Sequence, residues 1–109
     1  MNPLELKTRI PLPVEAIADL CERHGVERLD VFGSILRDDF RPDSDIDFLV
    51  SYDHDAKWDL YDVMEMKVEL ARTMGRSVDL ISRSAIEQSD NRFVKKEVLS
   101  TAERVYAKR

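Results

Sequence analysis

A glycine–serine pair, followed after ten residues by two aspartates at alternate positions, constrains this chain more than any other feature. The pair is Gly33-Ser34, and the aspartates are Asp45 and Asp47, which open an apolar segment. Side chains at positions i and i+2 of a β-strand point to the same face. Asp45 and Asp47 are therefore predicted to project together, with Cβ atoms about 7 Å apart, a separation that suits carboxylates sharing divalent cations.

The Gly33-Ser34 turn offers backbone N–H groups and a hydroxyl, and the glycine leaves room for a phosphate to approach closely. A phosphate-binding turn beside paired carboxylates is typical of metal-assisted transfer from a nucleoside triphosphate. Arg37 follows one helical turn later and could neutralise phosphate charge. A surface ion pair with Asp38 or Asp39 explains this arginine nearly as well.

A third carboxylate is Asp79, the one acid of residues 77–82, which are predicted to form another strand. Beside the strand of Asp45 and Asp47, it could reach the same metal ions, or it could accept the proton of an attacking hydroxyl. The sequence leaves both roles open. Ser44, which precedes Asp45, receives only a supporting role at the metal-binding strand.

A calcium-binding EF-hand is the competing interpretation of the acidic segment. Asp43, Asp45 and Asp47 match the alternating start of such a loop. The loop requires glycine where Phe48 stands and a bidentate glutamate where His54 stands. The apolar residues after Asp47 also favour a strand, so the EF-hand is excluded. The two histidines are isolated in the sequence, and no zinc site is predicted.

These residues resemble the minimal nucleotidyltransferase family, within the DNA polymerase β-like nucleotidyltransferase superfamily. The resemblance rests on Gly33-Ser34, Arg37 and the runs 42–47 and 75–80, and it extends weakly to Asn91-Arg92 and Val105-Tyr106. It implies an α/β (α+β) fold with a small mixed β-sheet flanked by helices. It also implies two sets of site residues: Asp45, Asp47 and Asp79 for catalysis and for two Mg²⁺ ions, and Gly33, Ser34, Arg37 and Ser44 for the nucleotide.

The resemblance further implies transfer of AMP from the substrate ATP to a hydroxyl, a tyrosine, of a partner protein. In that family the partner is commonly a small helical HEPN-domain toxin, and the transferase serves as its antitoxin. Two alternatives stay open. The protein could silence a toxin by binding alone, or it could transfer a nucleotide to RNA or to a small hydroxylated molecule.

Composition limits the partners and the compartment. The 109 residues predict one nucleotidyltransferase domain, 1–109, and 17 basic against 22 acidic residues give a net charge of −5. Strong binding to a nucleic-acid backbone is therefore not expected. The single cysteine, Cys21, excludes an internal disulfide, and no apolar run approaches the ~20 residues of a membrane span. Both observations favour a cytoplasmic protein.

Hydrophobic periodicity predicts the order helix, strand, short helix, strand, helix, strand, helix. The predicted elements are a helix from Pro13 to a stop at Gly25, strands 28–32, 45–51 and 77–82, a short helix 35–37, and helices 58–74 and 91–101. Residues 52–56 and 84–89 are predicted connectors, and 104–107 are extended or frayed. The apolar residues predicted to face inward are Leu60, Val63, Met64, Val68, Leu70, Ala71 and Met74 on the long helix, and Phe93, Val94, Val98 and Leu99 on the last.

Two further positions carry alternatives. Trp58 and Tyr61 could stack on a nucleotide base, but packing in the core is the simpler expectation. Lys67 falls within the apolar face of the long helix. Such a lysine usually extends its amine to solvent, and the alternative is that it points toward the active site.

Overall fold

A four-stranded mixed β-sheet forms the centre of the structure, a computed structural model that describes residues 8–53 and 58–108. The strands are β1 (Val26–Phe32), β2 (Ile46–Tyr52), β3 (Val78–Ser82) and β4 (Glu103–Ala107), in the spatial order β3-β2-β1-β4. β1 pairs antiparallel with both β2 and β4, whereas β3 runs parallel to β2. The predicted α/β class with a small mixed sheet is confirmed.

Within the described ranges, one α-helix precedes β1, and three α-helices and one 3-10 helix connect the strands. They are α1 (Val14–Arg23), the 3-10 helix Gly33–Leu36, α2 (Leu60–Met74), α3 (Arg83–Glu87) and α4 (Arg92–Thr101). None of the helices in the described ranges is both long and apolar enough to cross a bilayer.

Local sequence signals account for both ends of α2 and for the start of α4. Asp59 and Asp62 form a reciprocal capping box, in which each carboxylate accepts the other's backbone N–H at 3.0 Å. Gly75 ends α2 in the left-handed conformation with φ 69°. The Asn91 side chain accepts the N–H groups of Phe93 and Val94 at 3.1 Å and so caps α4 where the sequence predicts the helix to begin.

Most predicted boundaries agree with the structure within two residues. Helix α2 begins at Leu60 rather than Trp58, because the capping box fixes the first turn after Asp59. Tyr52, predicted in a loop, ends β2, and the residues left open as extended or frayed form β4. Residues 1–7 of the predicted lead-in and residues 54–56 of the predicted loop lie outside the described residues.

The two faces of the sheet are covered by different helices. On one face, α1 and α2 pack over a main core that includes Ile17, Leu20, Leu29, Val31, Ile46, Phe48, Val50, Met66 and Leu70. On the other, α3 and α4 cover a smaller cluster built on Phe32, Leu49 and Val98. The predicted alternation of β2 is confirmed. Ile46, Phe48 and Val50 belong to the main core, whereas Leu49 belongs to the smaller cluster on the opposite face.

Part of the predicted apolar faces is wrong. Leu60, Met64 and Val68 are more than half exposed on α2. Leu70 is buried as predicted, and Met66, which was not predicted to face inward, is buried with it. Phe93 and Val94 are exposed on α4, where Val98 is the buried residue. The apolar arc of each helix is wider than the surface that the sheet covers, and periodicity alone does not indicate which part of the arc packs.

Asp30 is the one charged residue that the described part of the chain buries completely. Arg28 donates to both of its carboxylate oxygens, from Nε at 2.8 Å and from a terminal nitrogen at 3.0 Å. Arg83, the first residue of α3, donates to the same carboxylate at 3.4 Å. The buried carboxylate therefore joins β1 to the helix that follows β3.

Replacement of Asp30 by alanine is expected to destabilise the protein by about 3 kcal/mol, because Arg28 and Arg83 would lose their shared anion inside the fold. Asp38→Ala is the matched control, since its carboxylate is 94% exposed and pairs with Arg9 at the surface. We expect a cost below about 1 kcal/mol for that variant. Urea unfolding of both variants measures the difference, and equal losses would contradict a structural role for Asp30.

Candidate active site

The turn after β1 lies directly against the second aspartate of the motif. Gly33 has φ 81°, a conformation that favours glycine, and its neighbour Phe32 pairs with Asp47 across the antiparallel strands. A Cβ built on Gly33 would overlap Asp47 Oδ2 and would lie 3.4 Å from Asp47 Cγ. The backbone conformation therefore favours glycine at position 33, and a Cβ there would also displace the Asp47 carboxylate from its present position.

The parallel pairing of β2 with β3 brings the third carboxylate beside this pair. Asp47 and Asp79 are register partners on the neighbouring strands, as the sequence leads us to expect. Asp45 immediately precedes β2 and is exposed, whereas Asp47 is partly buried. The Asp79 side chain is half exposed on β3, which is an edge strand.

The position of Asp47 in the sheet changes its acid–base chemistry. Burial raises the pKa of Asp47 to about 6, and the charge of Asp79, a hydrogen bond with Asp79 and the charge of Asp45 act in the same direction. The Arg37 guanidinium opposes the increase. An anionic group that is partly desolvated beside like charges is a position where a cation would be stabilised.

The donor chemistry fits magnesium, but the three carboxylates do not form a closed site by themselves. Within residues 8–53 and 58–108, no three Asp, Glu, His or Cys side chains are arranged as a complete metal-binding group. Magnesium in nucleotide-binding proteins is commonly held by one or two carboxylates together with substrate phosphates. Asp47 with either neighbouring aspartate can supply that number of hard oxygen ligands.

A cleft of about 760 Å³ opens beside the glycine turn. Gly33, Arg37 and Asp47 line one side of it, and α4 lines the other. Ser34, Ser44, Asp45 and Asp79 are not among the residues that line the cleft, so the predicted site residues are distributed between the cleft and the neighbouring sheet edge.

Arg37 forms the surface ion pair that its sequence position suggests, and it also borders the cleft. Its Nε lies 3.2 Å from Asp39 Oδ1, so the surface ion pair forms. The same residue borders the cleft beside Gly33 and Asp47. Its backbone N–H donates to the carbonyl of Ser34 at 2.9 Å, which closes the 3-10 turn.

Ser44 and Arg76 support the loop that carries Asp45. Ser44 Oγ accepts the N–H of Arg41 at 2.9 Å, in line with a supporting role. Arg76 donates to the carbonyls of Ser44 at 3.1 Å and Arg41 at 3.3 Å, and its guanidinium lies 4.8 Å from the Phe40 ring centre. No local pattern in the sequence indicates this role for Arg76, although the residue stands in the 75–80 run.

Lys67 extends toward the site, which was the less expected of its two alternatives. Its Nζ lies 4.0 Å from Asp79 Oδ1, and both side chains are half exposed.

Trp58 packs in the core against Tyr52, with ring centres 3.9 Å apart, as the simpler expectation predicted. Tyr61, in contrast, is exposed on α2, and its predicted packing in the core is wrong.

Replacement of Asp47 by asparagine is expected to stabilise the metal-free protein at about pH 8 and to change it little near pH 4. The pKa of Asp47 in the folded protein, about 6, exceeds its unfolded value of about 3.9. Ionisation therefore costs stability, and this cost develops as the pH rises from about 4 through about 6. Thermal unfolding in EDTA should show a gain of a few degrees near pH 8.

The exposed carboxylate of Asp38 provides the control for this experiment. Asp38→Asn removes the same charge at a position that contacts Arg9 at the surface, and we expect no stabilisation at either pH. If Asp47→Asn raises the melting temperature equally at both pH values, the electrostatic explanation is contradicted.

Comparison with known proteins agrees with this geometry. Residues 14–103 match the nucleotidyltransferase domain family. The protein adenylyltransferase MntA of Thermococcus cleftensis is 33% identical over 81 residues, which are 74% of this chain and 80% of that protein. The family match extends from the first helix across the motif residues and the strands that carry them.

Solved structures share the fold. One described as a candidate minimal nucleotidyltransferase has a TM-score of 0.63 at 35% identity and covers 82% of this chain and 85% of that one. An MNT antitoxin structure, in complex with a tri-AMPylated HEPN toxin of Shewanella oneidensis, has a TM-score of 0.59 at 18% identity, with 87% and 70% covered. From the family match, the sequence relatives and the fold, we conclude that this chain belongs to the nucleotidyltransferase domain family and resembles its minimal members.

Proposed function

We propose that this protein transfers AMP from ATP to a tyrosine hydroxyl of a HEPN-type toxin and thereby acts as its antitoxin. The observation that carries the proposal is the register of β2, which brings Asp47 against the Gly33 turn and beside Asp79. A relative at 33% identity is named a protein adenylyltransferase. A protein of the same fold was solved as an antitoxin with an AMPylated HEPN toxin, which supports the choice of partner.

The triphosphate would bind at the end of β1. Gly33 leaves the backbone accessible, the hydroxyl and N–H of Ser34 are suitable phosphate donors, and Arg37 adds positive charge at the cleft. Asp45, Asp47 and Asp79 would hold Mg²⁺ together with phosphate oxygens. When bound, Mg²⁺ supplies charge neutralisation at the triphosphate.

The acceptor would approach from the β3 side of the sheet. β3 is an edge strand, and Asp79 is half exposed there beside Lys67. In our proposal the tyrosine oxygen attacks the α-phosphorus, the new O–P bond replaces the bond to the β-phosphate, and pyrophosphate leaves with the electron pair. The tyrosine proton passes to a carboxylate, for which Asp79 is the accessible candidate if it is not a metal ligand.

The charge of the protein favours a protein acceptor over a long RNA. A net charge of −5 would repel a polyphosphate backbone. A tyrosine on a folded partner instead needs only a complementary surface near β3. The cytoplasm is the compartment that we propose, because ATP and a toxic ribonuclease partner would meet there.

Neutralisation by binding alone is a second candidate function, and one observation favours it. Leu60, Tyr61, Met64 and Val68 form an exposed apolar stripe on α2, between 54% and 81% exposed. Such a stripe could bind a partner without any chemistry. Transfer to RNA or to a small hydroxylated molecule differs from transfer to a toxin in the acceptor, so the identity of the molecule that gains the nucleotide distinguishes them.

The double variant Asp45→Asn/Asp47→Asn is expected to lower transfer at least about 100-fold, because the charge stabilisation of the transferring group depends on these carboxylates. Intact-mass spectrometry of a HEPN toxin mixed with the protein, ATP and Mg²⁺ should show added AMP with the wild type and none with the variant. Asp38→Asn is the control for charge and should retain transfer. If the wild type and the double variant neutralise the toxin equally and the toxin gains no mass, the protein acts as an antitoxin by binding alone.

Arg76→Met is expected to reduce transfer roughly 10-fold, because the loop that presents Asp45 would lose its anchor and small displacements of reacting groups are costly. The Mg²⁺ concentration for half-maximal transfer should rise, whereas the KM for ATP should change little. Arg72→Met is the matched control, since Arg72 is an exposed arginine in the last turn of α2, shortly before Arg76 in the sequence. Equal effects of the two variants on the Mg²⁺ dependence would exclude a positioning role for Arg76.

A further inference from the structure

The first turn of α4 exposes an aromatic ring beside the candidate active site. Phe93 is 87% exposed and Val94 is 43% exposed, although the periodicity of the helix predicts both to be buried. Both residues line the same cleft as Gly33, Arg37 and Asp47. An exposed phenylalanine at this position forms part of the site wall rather than part of the core.

The cleft has two chemically different sides. The side formed by Gly33, Arg37 and Asp47 is polar and charged. The first turn of α4 adds the exposed apolar side chains of Phe93 and Val94, and Phe32 and Val98 are nearly buried residues of the same lining. Farther along α4 the wall is polar, with Lys96, Glu97, Ser100 and Thr101. Its volume of about 760 Å³ is within the range of about 300–1,000 Å³ that small-molecule sites occupy.

A nucleoside triphosphate has the same division into a charged end and a flat apolar end. With the phosphates at Gly33 and Arg37, as the proposed function places them, the ribose and base must extend into the remaining space of the cleft. Phe93 supplies an aromatic surface there, and nucleic-acid bases stack favourably on aromatic rings because every base has a π-face.

Resting on the proposed function, we propose that Phe93, with Val94 beside it, is the platform for the base of the bound nucleoside triphosphate. The polar groups of α4 that border the cleft fit this assignment. Thr101 Oγ1 already donates to the carbonyl of Glu97 at 2.5 Å, so this hydroxyl is engaged with its own helix. Of the two phenylalanines that line the cleft, Phe32 is nearly buried and Phe93 is exposed, so the ring of Phe93 is the aromatic face on which a base can stack.

The test compares ATP with inorganic tripolyphosphate, which has the phosphates but no base. Calorimetry with Mg²⁺ measures the binding of each to the full-length chain. We expect Phe93→Ala to weaken ATP binding roughly 10-fold and to leave tripolyphosphate binding unchanged. Phe93→Trp should retain ATP affinity, because it keeps an aromatic face. Tyr61→Ala removes an aromatic ring of similar exposure on α2 and should leave both affinities unchanged.

Steady-state transfer provides a second readout. Phe93→Ala should raise the KM for ATP by a similar factor and leave kcat nearly unchanged, because stacking contributes equally before and during the reaction. Substitution of a side chain that is 87% exposed should not unfold the protein, and thermal unfolding confirms this for each variant.

The possible failures are distinguishable. Unchanged ATP affinity in Phe93→Ala, or an equal loss for ATP and tripolyphosphate, overturns the platform while leaving the transferase proposal intact. Unchanged ATP affinity with weakened binding of the partner toxin overturns it in favour of a docking role for Phe93. If the wild type binds neither ligand, the proposed function fails, and the platform fails with it.

Discussion

Contact between the Asp47 carboxylate and the backbone of Gly33 is the constraint on which the rest of the site depends. It requires a residue without a Cβ at the end of β1, with a positive φ, and it requires β1 and β2 to pair so that Phe32 stands opposite Asp47. The parallel pairing of β3 then brings Asp79 alongside. A shift of β2 by one residue would turn Asp47 toward the main core and remove all of these relations at once.

Two aspartates on the same face of the sheet have opposite electrostatic surroundings. Asp30 is fully buried, and two arginines from β1 and α3 neutralise it, so its charge serves the fold. Asp47 is partly buried beside two further aspartates, and its raised pKa reflects burial and their charge. The fold compensates the first carboxylate internally, whereas the second is left for a ligand to compensate. Such a division between stability and activity is common at functional sites.

Apolar side chains are exposed at two separate places, and their surroundings suggest different uses. Phe93 and Val94 border the cleft that Arg37 and Asp47 also line, where a flat ligand group can cover them. The stripe around Tyr61 and Met64 lies on α2, on the other side of the sheet from α4, and is large enough to contribute to protein binding. A transferase that acts on a folded partner needs both kinds of surface.

Much of this arrangement follows from the sequence alone. The spacing of Gly33-Ser34 and the alternate aspartates predicted the strands on either side of the turn, because strand geometry and glycine conformation are local properties. The family was indicated by resemblance to known sequences. Asn91 and Gly75 likewise marked helix ends through local hydrogen bonds and backbone angles. The tertiary structure alone decided that Met66 is buried and Met64 exposed, that Arg76 holds the Asp45 loop, and that Phe93 faces the cleft. These outcomes depend on which part of each helix the sheet covers and on contacts between distant segments, which the period of a sequence does not encode.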